Sequence, residues 1–329
     1  MDNTLELSRW REAPRSLLYR RWTIASLGLR QLQGGRFFRL LMLLAWTTGL
    51  LMAVVVFTFT QSLASGGWLE SYAQQLGPRP GAIARAFGAL VLLYPDVCIG
   101  GLFTLLFWLQ SSVGLGLCLL ALTLIIPGLV TRDHRSNALT LYLSRPLTST
   151  DYLLGKLGTI AAVLVLLWTG PLLVGWLGSL VLSPTPDVFR YSIGPLADAL
   201  LFNGIALVVL GALALGVSAS SSSSRVTIAL WLGLWLVLGS LASPPGAPGF
   251  IRHSSFSYNL DQVRREIFQP GKALQRTASD LPLLNQEFTD TLKQAGDHLQ
   301  ARHATGSYLG LGILVLLAST VFFRRLRPE

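Results

Sequence analysis

Three polar residues lie inside long apolar runs of this sequence, where an unpaired polar group is costly. Gln110 lies midway along one run, and Asp198 and Asn203 lie near the start of another. Such residues either mark a path for a substrate or form hydrogen bonds between neighbouring helices. Asp198 follows Pro195 closely, which favours a position at a membrane interface over a buried one. All three are therefore candidates for lining a path through the molecule.

Catalytic and metal-binding chemistry has no matching pattern in the apolar runs. An enzyme embedded in a membrane needs a nucleophile with its base, or a metal cluster, at membrane depth. No histidine lies within an apolar run, no two acids share a helix face there, and the 4 histidines show no ligand spacing. With 3 Met and 2 Cys, a route for soft metals is also disfavoured. We predict no catalytic residue, no metal and no cofactor in this chain.

The composition is that of an integral membrane protein. Of the 329 residues, 51% are hydrophobic and 13% are charged, whereas soluble domains carry roughly 25% charge. The net charge of +10 would suit nucleic acid, but the basic residues lie mainly at the ends of apolar runs. At such positions they contact lipid headgroups. The lipid bilayer is therefore the predicted partner, and nucleic acid, a soluble enzyme and a disulfide scaffold are excluded.

Six apolar segments are long enough, or nearly so, to cross a bilayer. A spanning helix needs about 20 predominantly apolar residues, because lipid leaves no backbone group to pair with water. The segments are 39–60, 99–130, 156–182, 197–218, 226–242 and 306–323. The second is long enough to tilt or to extend past the bilayer. The fifth is short, so a re-entrant hairpin is the alternative to a full crossing. We predict an all-α membrane protein with six transmembrane helices.

Lys and Arg are distributed unequally between the two sides of these predicted helices. Sixteen of the 26 fall in the N-terminal segment, the loop 131–156, the turn 218–225 and the tail. Most of the others lie in the long loop 243–305, which weighs little in the positive-inside rule. We therefore predict that both termini are cytoplasmic. The polar first 35 residues or so also predict no cleavable signal.

Two segments outside the apolar runs have helical patterns. Residues 17–33 interleave an apolar stripe with arginines, which predicts a helix in the cytoplasmic interface within an N-terminal unit 1–37. An ordinary basic juxtamembrane segment is the alternative. Residues 243–305, between the first five spans (38–242) and the last span with its tail (306–329), predict an extracytoplasmic helical cap. The cap would bind substrate, bind a periplasmic partner or cover a dimer.

The loop after the second apolar run carries the most specific pattern. It reads GLVTRDHRSNALTLYLSRPLTSTDYLLGKLG from Gly128 to Gly158, and Asp133 stands where a short helix would begin. The apolar positions of that helix are Leu139, Leu141 and Leu143. Arg145-Pro146 ends it, and Thr148-Ser149-Thr150-Asp151 caps the next helix. A short helix lying parallel to the membrane between two spans is the geometry expected for docking a cytoplasmic protein.

The charged residues at the start of this loop have two interpretations. Arg132, Asp133 and Arg135 would form ion pairs with a docked protein. Alternatively, they are solvated groups that mark the inner membrane interface. Arg145 and Lys156 fit an anchoring role on lipid phosphate better, because their long side chains can reach the interface.

This loop resembles that of the permease subunits of type-2 ABC exporters, whose pattern is an acidic-basic start, leucines, proline, a polar triplet and Leu-Leu-Gly-Lys. The sequence matches without a gap at Asp133, Leu139, Leu141, Leu143, Pro146 and Leu154-Gly155-Lys156. It departs from the family at Asn137-Ala138, where Gly-Thr is preferred, and at Ser149, where Arg is common. The overall plan is most similar to the branch of copper-site-maturation and gliding-motility permeases.

The resemblance implies a permease that has no ATPase activity of its own. The chain also contains no Gly-x-x-x-x-Gly-Lys-Ser/Thr motif for a triphosphate. Two permease subunits, expected as a homodimer, would each dock a nucleotide-binding ATPase subunit through residues 132–143. ATP and Mg²⁺ would bind to those two partner subunits, and substrate would leave the cytoplasm or the inner leaflet. The alternative is a mechanotransmission complex that acts on an external partner without transporting cargo.

Overall fold

The computed structural model describes residues 16–63, 68–75, 88–89, 91, 93–131, 133, 149–183, 186–244, 246–280, 286–301 and 304–326. All regular structure within these ranges is helical, which confirms the predicted all-α class. The helices run in chain order as α1 (Leu17–Gln33), α2 (Arg36–Leu63), α3 (Trp68–Gln75), α4 (Pro95–Ile126), α5 (Ser149–Leu164), α6 (Gly170–Leu182), α7 (Asp187–Ser220), α8 (Ser224–Leu232), α9 (Leu238–Ala242), α10 (Gly249–Ser254), α11 (Phe256–Phe268), α12 (Pro270–Asp280), α13 (Gln286–Leu299) and α14 (Ala304–Leu326).

Three π-helical turns modify the long helices. One extends α4, one joins α5 to α6, and one joins α8 to α9; they are Pro127–Thr131, Val165–Thr169 and Gly233–Val237. A π-helical turn widens the helix by one residue. In the first two of these turns, Thr131 and Thr169 form hydrogen bonds with Ser218 and Asn203 of the fourth span.

Six helices among the described residues are long and apolar enough to cross a membrane, as predicted. The first five are Arg36–Gln61, Pro95–Thr131, Thr150–Leu182, Asp187–Ser220 and Ser224–Ala242, and α14 is the apolar part of the sixth. The second has 37 residues, about 55 Å at the rise of an α-helix. It therefore exceeds the roughly 30 Å hydrocarbon layer.

Several predicted spans are shorter than the helices that contain them, most clearly the fourth span. Its helix begins at Asp187 rather than at 197 and continues through Pro195. The apolar run marks only the part that lipid can cover, whereas the helix continues into polar sequence where Asp187 and Arg190 are exposed. The third span likewise begins at Thr150 rather than at 156.

The first and third spans approach each other so closely that only glycine fits at the contact. A Cβ atom added at Gly49 would lie 2.3 Å from the carbonyl oxygen of Pro171, and one at Gly175 would lie 2.5 Å from that of Gly49. Small residues let helix backbones approach in lipid, where packing and hydrogen bonds replace the hydrophobic driving force. Gly49 and Gly175 therefore fix how the first span seats against the third.

Helix α1 lies along the beginning of the third span. A Cβ atom at Gly155 would lie 2.9 Å from Ile24, and one at Gly158 would lie 3.0 Å from the Cβ of Ala25. Leu18 and Trp22, in the first two turns of α1, are exposed. The helix predicted at residues 17–33 is thus present and packs on the third span, with apolar side chains exposed near its beginning.

The helices of the 243–305 segment pack against the spans. Phe256 of α11 stacks on Trp231 of the fifth span with ring centroids 5.8 Å apart. At the other end of α11, Phe268 meets Phe202 of the fourth span at 6.0 Å. Helix α12 lies against the second span. A change in the arrangement of these spans would therefore reach the segment directly.

Candidate functional site

The candidate site is the stem of the predicted docking loop, where the second span ends and the third begins. Asp133 lies on the second-span side, and its Oδ2 atom is 2.8 Å from Nζ of Lys156. The hydroxyl group of Tyr152 donates a hydrogen bond to the same Oδ2 atom at 2.7 Å. Lys156 also lies over the Tyr152 ring, 5.3 Å from its centroid. Asp133 is thereby fixed to the first two turns of the third span.

A second ion pair joins this stem to helix α1. Nε and one terminal nitrogen of Arg21 donate to Oδ1 of Asp151 at 2.8 and 2.6 Å. The Asp151 side chain is only 7% exposed, whereas that of Arg21 is 32% exposed. A carboxylate that is nearly buried depends on such a partner, because its charge has lost most of its hydration. Asp151 lies in the first turn of α5, where the positive end of the helix dipole adds to its stabilisation.

The two ion pairs stabilise both ends of the loop. Asp133 and Lys156 tie the end of the second span to the third, and Arg21 and Asp151 tie the beginning of the third span to α1. Charge-assisted hydrogen bonds of this kind are short and hold their partners in fixed orientation. A force applied to the loop would therefore reach the second span, the third span and α1 together.

A buried hydroxyl network links the second span to two further spans at the same end of the molecule. Ser218 Oγ donates to the carbonyl oxygen of Ile126 at 2.6 Å and accepts from the backbone N–H of Val130 at 2.9 Å. The Thr131 hydroxyl donates to the carbonyl oxygen of Ser218 at 2.8 Å and lies 3.2 Å from the hydroxyl oxygen of Thr227. The network joins the second, fourth and fifth spans.

This network was not predicted from the sequence, although two signals for it were present. Pro127 lies within an otherwise apolar helix, and Ser218 and Thr227 are small hydroxyl residues within apolar runs. Ser218 Oγ contacts both the carbonyl oxygen of Ile126 and the N–H of Val130, which pair with each other in a regular α-helix, at the π-helical turn that begins at Pro127.

Most of the predicted docking residues lie outside the part of the chain that the structure describes. Arg132, Arg135, Leu139, Leu141, Leu143 and Pro146 belong to this group. Asp133 alone among them is described, and it is paired with Lys156 and Tyr152. Lys156, which was assigned to lipid contact, lies in the stem as the partner of Asp133. The contact of the predicted docking residues with an ATPase remains a prediction.

Two of the three polar residues in apolar runs make hydrogen bonds between helices. Gln110 Nε2 donates to Oγ1 of Thr48 in the first span at 2.8 Å. Asn203 Nδ2 donates to Oγ1 of Thr169 in the third span at 3.1 Å. Both amides are buried, whereas Asp198 is half-buried in the fourth span. These hydrogen bonds between helices explain how Gln110 and Asn203 are accommodated in apolar runs. That any of the three residues lines a substrate path remains a prediction.

The bond between Gln110 and Thr48 predicts a measurable energetic coupling. We expect Gln110→Leu and Thr48→Val to show a coupling energy of about 0.6 kcal/mol in a double-mutant cycle, as is typical of hydrogen bonds between helices in membranes. Unfolding of the purified chain in mixed detergent would measure it. The control cycle pairs Thr48→Val with Ser240→Ala, since the Ser240 hydroxyl donates to the carbonyl oxygen of Val237 in its own span. If the changes in unfolding free energy were additive in both cycles, the bond between Gln110 and Thr48 would make no measurable contribution to stability.

No group of three or more His, Cys, Asp or Glu side chains among the described residues is placed to hold a metal ion.

A family model described as ABC-2 family transporter protein matches residues 86–324, which is more than two thirds of the chain. The matched range contains the second to sixth spans and the docking loop with its stem. No curated protein is similar enough to match.

Proposed function

Because this chain belongs to the ABC-2 family, and is thus a multi-pass membrane permease subunit of an ABC transporter, we propose that it docks a separate ATPase through residues 132–143. The ATPase would supply the energy, and this chain would move substrate out of the cytoplasm or the inner leaflet. Arg132, Asp133 and Arg135 would meet charged groups of the ATPase, and Leu139, Leu141 and Leu143 would fill an apolar groove on it.

The observation that carries this proposal is the ion-paired stem. A docking segment can transmit force only if its ends are fixed to the elements that must move. Asp133 is held by Lys156 and Tyr152 at 2.8 and 2.7 Å, and Asp151 is held by Arg21 at 2.6 Å. The stem therefore joins the segment to two spans and to α1.

The proposed mechanism assigns nucleotide chemistry to the partner. Two ATPase subunits would bind ATP and Mg²⁺, and two copies of this chain would form a homodimer between them. Closure of the ATPase pair would displace both docking segments, and each stem would carry the displacement into its spans. The two nucleotide states would thereby favour different arrangements of the spans, which is the content of coupling between two states. This chain would contribute no catalytic residue.

The proposed orientation places the stem and both termini in the cytoplasm of a bacterial inner membrane. Sixteen of the 26 basic residues would then lie on the cytoplasmic side, as the positive-inside rule requires. The helices α10–α13 would lie at the outer side, and transport toward that side would be export.

A second function is supported by the packing of the 243–305 segment. Phe256 contacts the fifth span and Phe268 contacts the fourth, so rearrangement of the spans would displace α11. A mechanotransmission complex would use this displacement to act on a periplasmic partner bound to the segment, without cargo. Such a complex would release its partner in one nucleotide state and bind it in the other.

Co-purification from native cells tests the docking proposal. We expect an ATPase subunit to accompany the wild-type chain and to be lost from the variant Asp133→Lys plus Leu141→Asp. The first change removes the carboxylate that would face a charged group of the ATPase. The second places a carboxylate in the apolar contact with the ATPase. Leu141→Asp alone leaves the Asp133–Lys156 pair intact and should also weaken retention.

The matched control makes the same charge changes at exposed positions of the 243–305 segment, as Asp280→Lys plus Gln286→Asp. It should retain the ATPase. Gel-filtration profiles of all variants would verify that they remain folded. Retention of the ATPase by the folded docking variant would place the contact elsewhere, and absence of any ATPase from the wild-type preparation would overturn the docking proposal.

A further inference from the structure

A cavity of about 920 Å³ lies between the fifth span and the helices α10, α11 and α13. Its volume is within the range of about 300–1,000 Å³ that is typical of ligand-binding pockets. Trp235 and Leu236 line one side, and Arg252, Asp261 and Arg265 line another. The cavity thus combines an apolar wall with a charged one.

The apolar wall belongs to a span that the protein itself covers little. Only 17% of the most apolar window of the fifth span is buried, and Leu236 is 52% exposed. Ala242 continues the wall toward the end of the span. A surface of this kind in a membrane protein is covered by lipid chains, because water cannot hydrate it favourably.

The charged wall carries an excess of positive charge. Arg265 Nε pairs with Oδ2 of Asp261 at 2.8 Å, and another of its nitrogens donates to the carbonyl oxygen of His298 at 2.9 Å. Asp261 also pairs with Arg264 through its second oxygen. One carboxylate therefore serves two arginines, and Arg252, which donates to the carbonyl oxygen of Pro244 at 3.3 Å, also lines the wall.

We propose that this cavity binds a phospholipid, with its phosphate at Arg252 and Arg265 and its acyl chains along Trp235 and Leu236. Guanidinium groups bind phosphate oxygens through paired hydrogen bonds in a planar geometry. Two arginines and one carboxylate line this wall, and this excess of arginines predicts a preference for an anionic headgroup over a zwitterionic one. A free phosphate ion would engage the arginines but leave the apolar wall uncovered, so the two-sided lining favours a lipid. The site does not depend on whether the chain docks an ATPase.

Quenching of Trp235 by brominated lipid tests the proposal in the full chain. The chain would be reconstituted in phosphatidylcholine vesicles that contain increasing fractions of phosphatidylglycerol or phosphatidylcholine with brominated acyl chains. The chain has 9 Trp, so the signal of Trp235 is the difference between the wild type and Trp235→Phe. We expect half-maximal quenching at a roughly 25-fold lower fraction of the anionic lipid, because each of the two arginines contributes about fivefold to its attraction.

Two kinds of variant separate the charged wall from the apolar one. Arg252→Gln plus Arg265→Gln should abolish the preference for phosphatidylglycerol, whereas Arg190→Gln plus Arg276→Gln, at exposed positions outside the cavity, should preserve it. Ser240→Phe would fill part of the cavity, leave the arginines in place and reduce quenching by both lipids. This variant decides the question if the arginine variant fails to fold.

Three results would overturn the proposal. Equal quenching of Trp235 by both lipids in the wild type would remove the headgroup preference. Unchanged quenching in the folded arginine variant, or in Ser240→Phe, would place the lipid outside the cavity. Displacement of brominated phosphatidylglycerol by inorganic phosphate would assign the arginines to a free anion.

Discussion

Reversing the charge of Arg21 should release α1 from the third span. Arg21→Glu would place a second carboxylate beside Asp151, whose side chain is 7% exposed and would lose its partner at 2.6 Å. Removal of one partner from a buried ion pair costs about 3–5 kcal/mol. Because Arg21 is 32% exposed, water would screen the repulsion, and we expect a loss of about 2 kcal/mol in the free energy of unfolding. Denaturation in mixed detergent would measure this loss.

Restoring the pair with opposite polarity separates the ion pair from other effects of the substitution. The double variant Arg21→Glu plus Asp151→Arg should regain most of the lost stability. Arg30→Glu is the matched control, because Arg30 is an exposed arginine of the same helix. If Arg21→Glu and Arg30→Glu proved equally stable, the ion pair between Arg21 and Asp151 would have no energetic role.

A leucine at position 49 should prevent the first span from seating against the third. Even the first carbon of that side chain would lie 2.3 Å from the Pro171 carbonyl oxygen, which belongs to the backbone of the opposing helix and cannot rotate away. Overpacking in a well-packed core costs about 1–3 kcal/mol, and a contact with backbone on both sides lies at the upper end of that range. We therefore expect Gly49→Leu to lower the unfolding free energy by about 3 kcal/mol or to yield no folded chain.

Gly116→Leu provides the control, because a Cβ atom at Gly116 would meet nothing within 4 Å. It adds the same side chain to another span and should be tolerated within about 1 kcal/mol. Gly49→Ala should lie between the two, since it carries only the clashing carbon. Similar stability of the two leucine variants would mean that the spans do not approach each other at Gly49.

The number of spans was predictable because apolar runs of about 20 residues have few alternatives in a bilayer. Their ends were less predictable. Asp187 and Arg190 are compatible with a helix in water as well as with a loop, so hydropathy placed the beginning of the fourth span at 197 rather than at Asp187. Apolar composition reports where lipid lies, whereas the helix ends where its backbone bonds end.

The partners of polar residues could not be deduced from one sequence. Gln110 was recognised as a polar residue in an apolar run, but nothing nearby in sequence indicates Thr48, which is 62 positions away. Arg21 and Asp151 are 130 positions apart, and each also fits a role at the membrane surface. Gly49 is one of 32 glycines, and its close contact with Pro171 depends on how two helices cross. These contacts are properties of the tertiary arrangement.

The central proposal has two parts. Residues 132–143 contact an ATPase, and the stem carries the movement of this segment into the spans. The segment was identified by its pattern and by resemblance, and the stem was identified by geometry. Arg21→Glu would then have a second consequence, because a loosened stem should reduce transport driven by a docked ATPase more than it reduces docking itself.

Site-specific photo-crosslinking tests the contact most directly. A photoreactive amino acid would replace Leu141, with Ser279, which is exposed near the end of α12, as the reference position in the same chain. We predict that irradiation of cells captures an ATPase subunit with a nucleotide-binding Gly-x-x-x-x-Gly-Lys-Ser/Thr motif from position 141 and not from position 279. An ATPase adduct at position 279, or none at position 141 in a chain that is folded and inserted, would contradict the assignment of residues 132–143 as the docking segment.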